Sequence, residues 1–389
     1  MHIPENYLSP QTCGVMAAAM IPVWGVCIRK VKTELPKEKI ALMGVGAAFS
    51  FISMMFNIPI PGGTTGHAVG GTLIATLLGP YAACLSVSVA LLLQALIFGD
   101  GGVLAFGANC FNMAFVLPFV GYAVYSLLRK WIRRGSGDLI GAGVGSYLGI
   151  NAAALCAAIE FGIQPMLFRD AAGNALYCPY GLNLSVPAMM IGHLTVFGLA
   201  EVVFTVAVLA FVKKTSPDMI TGTVRRGSTA FGNAGSRTAG MEAGIAGSRT
   251  AGMEAGIAGS RTAGMEAGIT GSRTAGTENS SAASGRKSGR AVSFLLGALI
   301  LATPLGLLAE GTAWGEWGVD EIAATGAGYT PAGMLNGFSL KALVPDYSFA
   351  GLPEWFGYIL SAVIGAAVLI IVFRLIGDVK KPQRQQVQA

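Results

Sequence analysis

The chain alternates long apolar runs with short polar breaks. Apolar stretches cover about 11–28, 40–57, 66–80, 82–98, 103–128, 138–162, 186–212, 291–309 and 356–373. An α-helix rises about 1.5 Å per residue, so most of these runs approach the roughly 30 Å thickness of a bilayer's hydrocarbon core. The third run is short and glycine-rich, which predicts a tilted or partly re-entrant element. The segment 215–290 breaks the pattern. A twelve-residue unit begins at Gly235, returns at 247–258 and 259–270, and starts again at Gly271. With one Ile and one Met per unit it cannot bury a core, so it reads as a flexible cytoplasmic linker. The pattern therefore predicts an all-α polytopic membrane bundle in three parts: a seven-span core over 1–214, the linker over 215–290, and a two-span C-terminal unit over 291–389.

Charge orients the bundle. Arg29, Lys30, Lys32, Lys37 and Lys39 follow the first run, Arg129, Lys130, Arg133 and Arg134 the fifth, and Lys213 and Lys214 the seventh. Lys380, Lys381 and Arg384 follow the ninth, while the opposite side carries little beyond Arg169 and Lys341. The positive-inside rule then places the N-terminus outside and the C-terminus inside, and with nine spans every basic cluster falls on the inner face. The first run has its positive charge after it and not before it, so it reads as an uncleaved helix.

Composition agrees. Of 389 residues, 53% are hydrophobic and 12% charged, against roughly 25% charged in soluble chains. The net charge of +6 sits at the ends of apolar runs, which argues against nucleic-acid binding. The six cysteines lack CxxC or zinc-like spacing, and most fall in apolar runs as small buried side chains. P-loop, HExxH and GxSxG signatures are absent.

Candidate chemistry centres on the histidines, of which there are three. In Met1-His2 the α-amino group, the His2 backbone nitrogen and His2 Nδ1 can close two chelate rings on one metal ion, a planar set suited to nickel, cobalt or copper. A histidine at position 2 can equally be an ordinary terminal residue. The segment from Asn57 to Gly71 holds five glycines and two prolines, so its backbone is irregular at membrane depth. His67 lies in it, on the same predicted side as Met1, and could complete the nitrogen plane or serve as a hydrogen-bonded core residue. Asn109, Asn112, Glu160, His193 and Glu201 are further polar groups inside spans, open to a role in a metal path or around the ligands, or to structural hydrogen bonding between helices. For His193 the structural role is the better reading.

Four segments carry a family resemblance. Met1-His2-Ile3-Pro4-Glu5-Asn6-Tyr7-Leu8-Ser9-Pro10, Pro61-Gly62-Gly63-Thr64-Thr65-Gly66-His67, Gly107-Ala108-Asn109-Cys110-Phe111-Asn112-Met113-Ala114 and Gly192-His193 with Glu201 together resemble the CbiM/NikM family. Its members are the substrate-binding components of energy-coupling-factor transporters for cobalt and nickel. The resemblance covers about 1–214. It implies that Met1, His2 and His67 bind the transported Co2+ or Ni2+, with no cofactor. It also implies partners, a CbiQ-like transmembrane coupling protein and CbiO-like cytosolic ATPases, in the cell membrane of a prokaryote. The look of the N-terminus leans to cobalt; a nickel-specific member is the first alternative. At positions 5 and 6 many members have an acidic residue followed by glycine, and here Asn6 takes the second place. The C-terminal unit, with Ala302-Thr303-Pro304-Leu305-Gly306, Gly311-Thr312-Ala313-Trp314-Gly315-Glu316-Trp317-Gly318 and Pro345-Asp346-Tyr347, resembles the PDGLE extension and the two-helix CbiN subunit, without an intact signature tetrapeptide. Two other classes stay open: an intramembrane metalloenzyme using His67, His193, Glu160 and Glu201, and a substrate-binding component for an organic cofactor.

The linker generates a direct expectation. Deleting repeats within 235–276 leaves metal uptake intact, because a flexible tether loses little on shortening while it still spans its gap. Radiometal uptake in cells with matched membrane insertion measures this, and lost uptake would assign the repeat a binding role.

Overall fold

The computed structural model describes residues 1–60, 64–132, 136–216, 289–309 and 311–378. The repeat segment, Arg133, Arg134, and the C-terminal basic cluster lie outside these residues, as does the Pro61-Gly62-Gly63 part of the second loop.

Helix α1, Pro10–Glu34, is followed by α2, Ile40–Met54, and a two-stranded antiparallel hairpin of β1, Ile58–Ile60, and β2, Thr64–Gly66. Then come α3, Gly71–Leu78; α4, Pro80–Leu93, running on as a π-helical turn over Gln94–Phe98; and the short α5, Phe106–Asn109, which passes through a π-helical stretch over Cys110–Val116 into α6, Leu117–Trp131. Helix α7, Gly137–Gly162, ends in the single turn α8, Gln164–Leu167. Helix α9, Leu182–Gly192, passes through π-helical residues His193–Phe197 into α10, Gly198–Thr215. The C-terminal unit has α11, Gly289–Leu308, a one-turn α12, Ala332–Leu335, and α13, Glu354–Asp378.

Each of the nine apolar runs holds a helix among its described residues; in the third, Gly66 of β2 and an irregular stretch over 67–70 precede it. Among the described residues, seven helices are long and apolar enough to cross a bilayer. The other two are α2, at 15 residues about 22 Å long, and α3, at 8 residues about 12 Å. The third run is thus a partial element, stopped at Gly79 with φ +92° and followed by Pro80, which opens α4.

Small residues let the helices approach closely. Gly141, Gly145 and Gly149 of α7 recur every four residues on one face and meet Tyr125, Gly121 and Leu117 of α6. A side chain at Gly145 would overlap the Gly121 carbonyl. In a membrane, where lipid is as apolar as leucine, such close backbone packing drives helix association. The π-helical stretch before α6 has a local cause. Pro118 has no N–H to donate, and the Leu117 N–H reaches back five residues to the Asn112 carbonyl. The C-terminal unit packs on the core: α13 lies along α2, where Gly44 faces Phe373 and Gly365 faces the Phe51 ring. All six cysteines are free, and all but Cys156 are buried.

Candidate metal site

Residues 1–9 thread into the bundle instead of trailing in solvent. Met1, His2, Ile3, Tyr7 and Leu8 are all buried. Backbone polar groups at that depth need partners, and those of Ile3 are supplied by the core. The Ile3 N–H donates to Asn109 Oδ1 at 2.7 Å, and its carbonyl accepts from Asn109 Nδ2 at 3.1 Å and from the Gly102 N–H at 2.8 Å. The Asn109 amide therefore pairs with Ile3 as a neighbouring strand would. Glu5 accepts from the N–H groups of Val103, at 2.6 Å, and Leu104, at 3.2 Å. Asn6 has φ +64°, in the left-handed region that glycine favours and asparagine tolerates, and its Nδ2 donates to the Phe338 carbonyl at 2.8 Å. That conformation explains why glycine suits this position and why Asn6 replaces it without strain. Tyr7 donates to the Trp317 carbonyl at 2.8 Å, and Ser9 caps α1 by accepting from the Thr12 N–H at 3.0 Å.

His67 arrives from the opposite side, directly after β2. Glu201 of α10 fixes the backbone that follows it, accepting from the N–H groups of Val69 at 2.7 Å and Gly70 at 3.0 Å. Ser50 donates to the Val69 carbonyl at 2.8 Å. His67 Nδ1 lies 3.3 Å from the Ala68 carbonyl, and Nε2 lies 3.1 Å from His2 Nδ1. A proton on His67 Nδ1 serves that carbonyl and leaves the Nε2 lone pair facing His2.

The two imidazoles open onto a cavity of about 280 Å³, lined by polar groups that include Asp100, Glu316, Asp346 and Tyr347. The Met1 ammonium donates to Glu316 Oε1 at 2.7 Å. Asp100 Oδ1 lies 3.2 Å from His2 Nδ1, while its Oδ2 accepts from Gln94 Nε2 at 3.1 Å and from the Tyr347 hydroxyl. Burial, and next the Asp100 charge, hold the Tyr347 hydroxyl well above the usual tyrosine range, so it stays a donor. Adjacent ligands on a metal with bonds of about 2.1 Å stand about 3 Å apart at right angles, so the 3.1 Å between the imidazole nitrogens fits two neighbouring corners of a plane. Among the described residues no three His, Cys, Asp or Glu side chains form a metal-binding group. Four nitrogens are reached here only by counting the terminal amine and a backbone nitrogen.

The other polar residues singled out in the sequence stand apart from the imidazole pair. Asn109 holds Ile3 and Glu201 holds residues 69 and 70; both shape the walls. Asn112 Nδ2 donates to Glu160 Oε2 at 2.8 Å, which joins the stretch before α6 to α7. His193 Nδ1 pairs with the Met189 carbonyl at 2.8 Å, and its ring packs on Phe197. Sequence reasoning missed Asp100, Glu316 and Tyr347 as residues around the imidazole pair. The run Gly99-Asp100-Gly101-Gly102 was the available signal, with Gly99 and Gly101 both at positive φ.

Fold and site define a polytopic helical membrane protein whose own N-terminus is folded into a cavity beside two imidazoles. The chain belongs to the CbiM family, described as the cobalt uptake substrate-specific transmembrane region, which matches residues 2–219, and residues 288–381 match the PDGLE domain. It is 44% identical over 381 residues to the "Probable fused nickel transport protein LarMN" of Lactiplantibacillus plantarum, covering 96% of this chain and 97% of that one. It is 41% identical over 387 residues to the "Fused nickel transport protein NikMN" of Rhodobacter capsulatus, covering 95% of each. A solved structure described as a transition metal transporter superposes with a TM-score of 0.54 at 52% identity, over 59% of this chain and 99% of that one. The resemblance read from the four sequence segments and the C-terminal unit is borne out.

Glu201 generates a stability expectation. Glu201→Ala orphans two buried N–H groups, at about 1–3 kcal/mol each, whereas Glu201→Gln keeps an acceptor. Thermal unfolding in detergent is expected to fall in the order wild type, Glu201→Gln, Glu201→Ala. Equal midpoints would mean that the 67–70 segment is held by other contacts.

Proposed function

We propose that this chain is the substrate-capture membrane subunit of an energy-coupling-factor transporter that takes up divalent nickel or cobalt. The Met1 amine, the His2 backbone nitrogen, His2 Nδ1 and His67 Nε2 hold the ion. The observation that carries the reading is the approach of His67 Nε2 to His2 Nδ1 beside a buried, charge-paired N-terminus. In the tridentate Met1-His2 chelate the amine and Nδ1 lie opposite one another, so His67 takes the remaining corner, adjacent to Nδ1. A coordinated amine keeps N–H bonds, and Glu316 can go on accepting from one of them, in the way that partners beyond the ligands orient a metal site. The carboxylates of Asp100, Glu316 and Asp346 around the cavity supply the negative charge that a dication needs.

The chain itself catalyses no reaction. ATP hydrolysis belongs to CbiO-like subunits coupled through a CbiQ-like membrane protein, in the cytoplasmic membrane of a prokaryote with the N-terminus outside. Nickel is the favoured cargo over the cobalt first expected, because the two relatives that cover both parts of the chain are named for nickel transport. An organic cofactor fits less well. Organic ligand sites run from about 300 to 1,000 Å³ with mostly apolar linings, and this cavity is small and polar. A metalloenzyme would need Glu160 and His193 to converge on the histidine pair, and each is engaged elsewhere.

His67→Ala is expected to abolish high-affinity nickel and cobalt binding while the protein still inserts and folds; unchanged affinity by calorimetry would remove His67 from the site. A short tag before Met1 should destroy binding and the same tag after Ala389 should not, since acylation takes the amine's lone pair. Equal affinity in the two tagged proteins would sink the chelate. The amine and two imidazoles must be unprotonated and the His2 backbone nitrogen must give up its amide proton to coordinate, so binding is expected to weaken as pH falls. Calorimetry across a pH series in several buffers would register the released protons, and a flat profile would contradict nitrogen ligation.

A further inference from the structure

At the far end of the bundle from the histidine pair, the short α3 leaves an opening. Helices α3 and α4 meet at Gly79 and Pro80, while α6 runs on past Ala123 to Trp131, about 12 Å further at the rise of an α-helix. Helices α1 and α6 each pack on α4, and a gap stays between them. The gap is a cavity of about 480 Å³ above the α3–α4 turn. A Cβ at Gly79 would meet nothing within 4 Å, so the turn itself faces open space. The charged side chains on the walls are Lys30 near the end of α1, Lys39 in the turn before α2, and Glu34. Both lysines are half-buried. Glu34 pairs with Lys30 at 2.7 Å, which leaves the Lys39 charge unanswered within the cavity. The rest of the wall is largely aromatic and aliphatic, with Leu78, Tyr81, Phe119 and Tyr122. The Lys30 ammonium stands 5.8 Å from the centre of the Tyr81 ring, and Tyr81 meets Phe119 edge to face at 5.5 Å. Ammonium heads above an apolar, aromatic wall are what a membrane interface selects.

We propose that this cavity holds an anionic phospholipid of the inner leaflet, its phosphate beside Lys39 and Lys30 and an acyl chain along Tyr81, Phe119 and Tyr122. The inference uses the orientation proposed above, which puts Lys30 and Lys39 on the cytoplasmic side, and is independent of the metal chelate. Basic pockets between helices on that side are where anionic headgroups bind. The net positive charge of the walls selects an anionic lipid over a zwitterionic one. The apolar walls select a lipid over a free anion, which gains nothing from them. The opening also faces the bilayer: Ala123 lines it and is exposed, and Leu127, one turn on along the same face of α6, is 51% exposed. A lipid seated there bridges α1 and α6 across the gap. It thereby braces the helix whose other end continues from the Met1-His2 peptide.

The test titrates purified full-length protein in detergent with phosphatidylglycerol and with phosphatidylcholine of the same acyl chains, and reads bound lipid by native mass spectrometry. Wild type is expected to retain phosphatidylglycerol in preference to phosphatidylcholine, and glycerol phosphate should not displace it. Lys39→Gln and Lys30→Gln should each weaken phosphatidylglycerol binding about five-fold. Lys32→Gln removes an exposed lysine outside the cavity and should change it much less. Ala123→Trp puts a ring into the opening and keeps every charge, so it should weaken binding at least as much as Lys39→Gln. Equal retention of the two lipids by wild type would overturn the proposal and leave the gap to a protein partner. Displacement by glycerol phosphate would make the ligand a free phosphate ester and overturn it as well. Wild-type binding in Ala123→Trp, or equal losses in Lys32→Gln and Lys39→Gln, would reduce the effect to general attraction by a basic surface and overturn the cavity. If Lys30→Gln does not insert, Lys39→Gln in the surface turn decides alone.

Discussion

The structure depends on one constraint, that a polypeptide end buried in a membrane bundle must satisfy every backbone polar group it takes in. Residues 1–9 are neither helix nor strand, so they cannot do this among themselves. The core provides a surrogate strand partner instead. The Asn109 amide exchanges two hydrogen bonds with Ile3, Gly102 adds a third, and Glu5 caps the turn leading into α5. Close approach is needed for this, and Gly102 gives it: a Cβ there would stand 2.8 Å from the Glu5 nitrogen. Once Ile3 is fixed, the two residues before it have little freedom left, and the amine and His2 are delivered to one end of the cavity at little further entropic cost.

The same logic explains why the C-terminal unit is integral to the site. Among the described core residues, Gln94 alone donates to the outer oxygen of Asp100, and the N-terminal ammonium takes its partner from the C-terminal unit. Glu316 is that partner, and Tyr347 donates to the same Asp100 oxygen, both from the segment between α11 and α13. Trp317 accepts from Tyr7, Trp314 donates its N–H to Thr64 at 2.8 Å, and Tyr180 pairs with Thr325. These contacts tie the segment to the N-terminal peptide, to the hairpin carrying His67, and to the loop before α9. Trp314, Trp317, Tyr180 and Phe161 stack edge to face among themselves, which adds a rigid aromatic floor to the polar contacts.

Much of the fold was legible in the sequence because membrane helices announce themselves by length and apolarity, and the short third run announced its own exception. The histidine pair was legible because so few histidines compete in this chain. The carboxylates were not. Asp100 sits in a loop between spans and Glu316 in an extension far along the chain, and nothing in local composition says that either turns inward. Their role comes from contacts across 247 and 315 residues of sequence, set by tertiary packing alone. The polar residues inside spans stood out in the sequence, but spacing could not say which partner each one turns to. Asn109 and Asn112 stand three apart at the start of a π-helical stretch; one turns to Ile3 and the other to Glu160.

The electrostatics of the cavity follow from that division of labour. In the metal-free protein the N-terminal positive charge is answered by Glu316, and Asp100 Oδ1 stands 3.2 Å from His2 Nδ1. On the proposed chelate, a dication enters as the amine proton and the His2 amide proton leave, so the two changes offset. This matters in a medium where an uncompensated charge costs several kcal/mol. Glu316 can follow the amine through that change because a coordinated amine is still a donor. Asp100 cannot follow Nδ1 in the same way, because a metallated Nδ1 has no proton to give. The two carboxylates therefore stand differently toward the proposed chelate, and the difference is fixed by which kind of nitrogen each one faces.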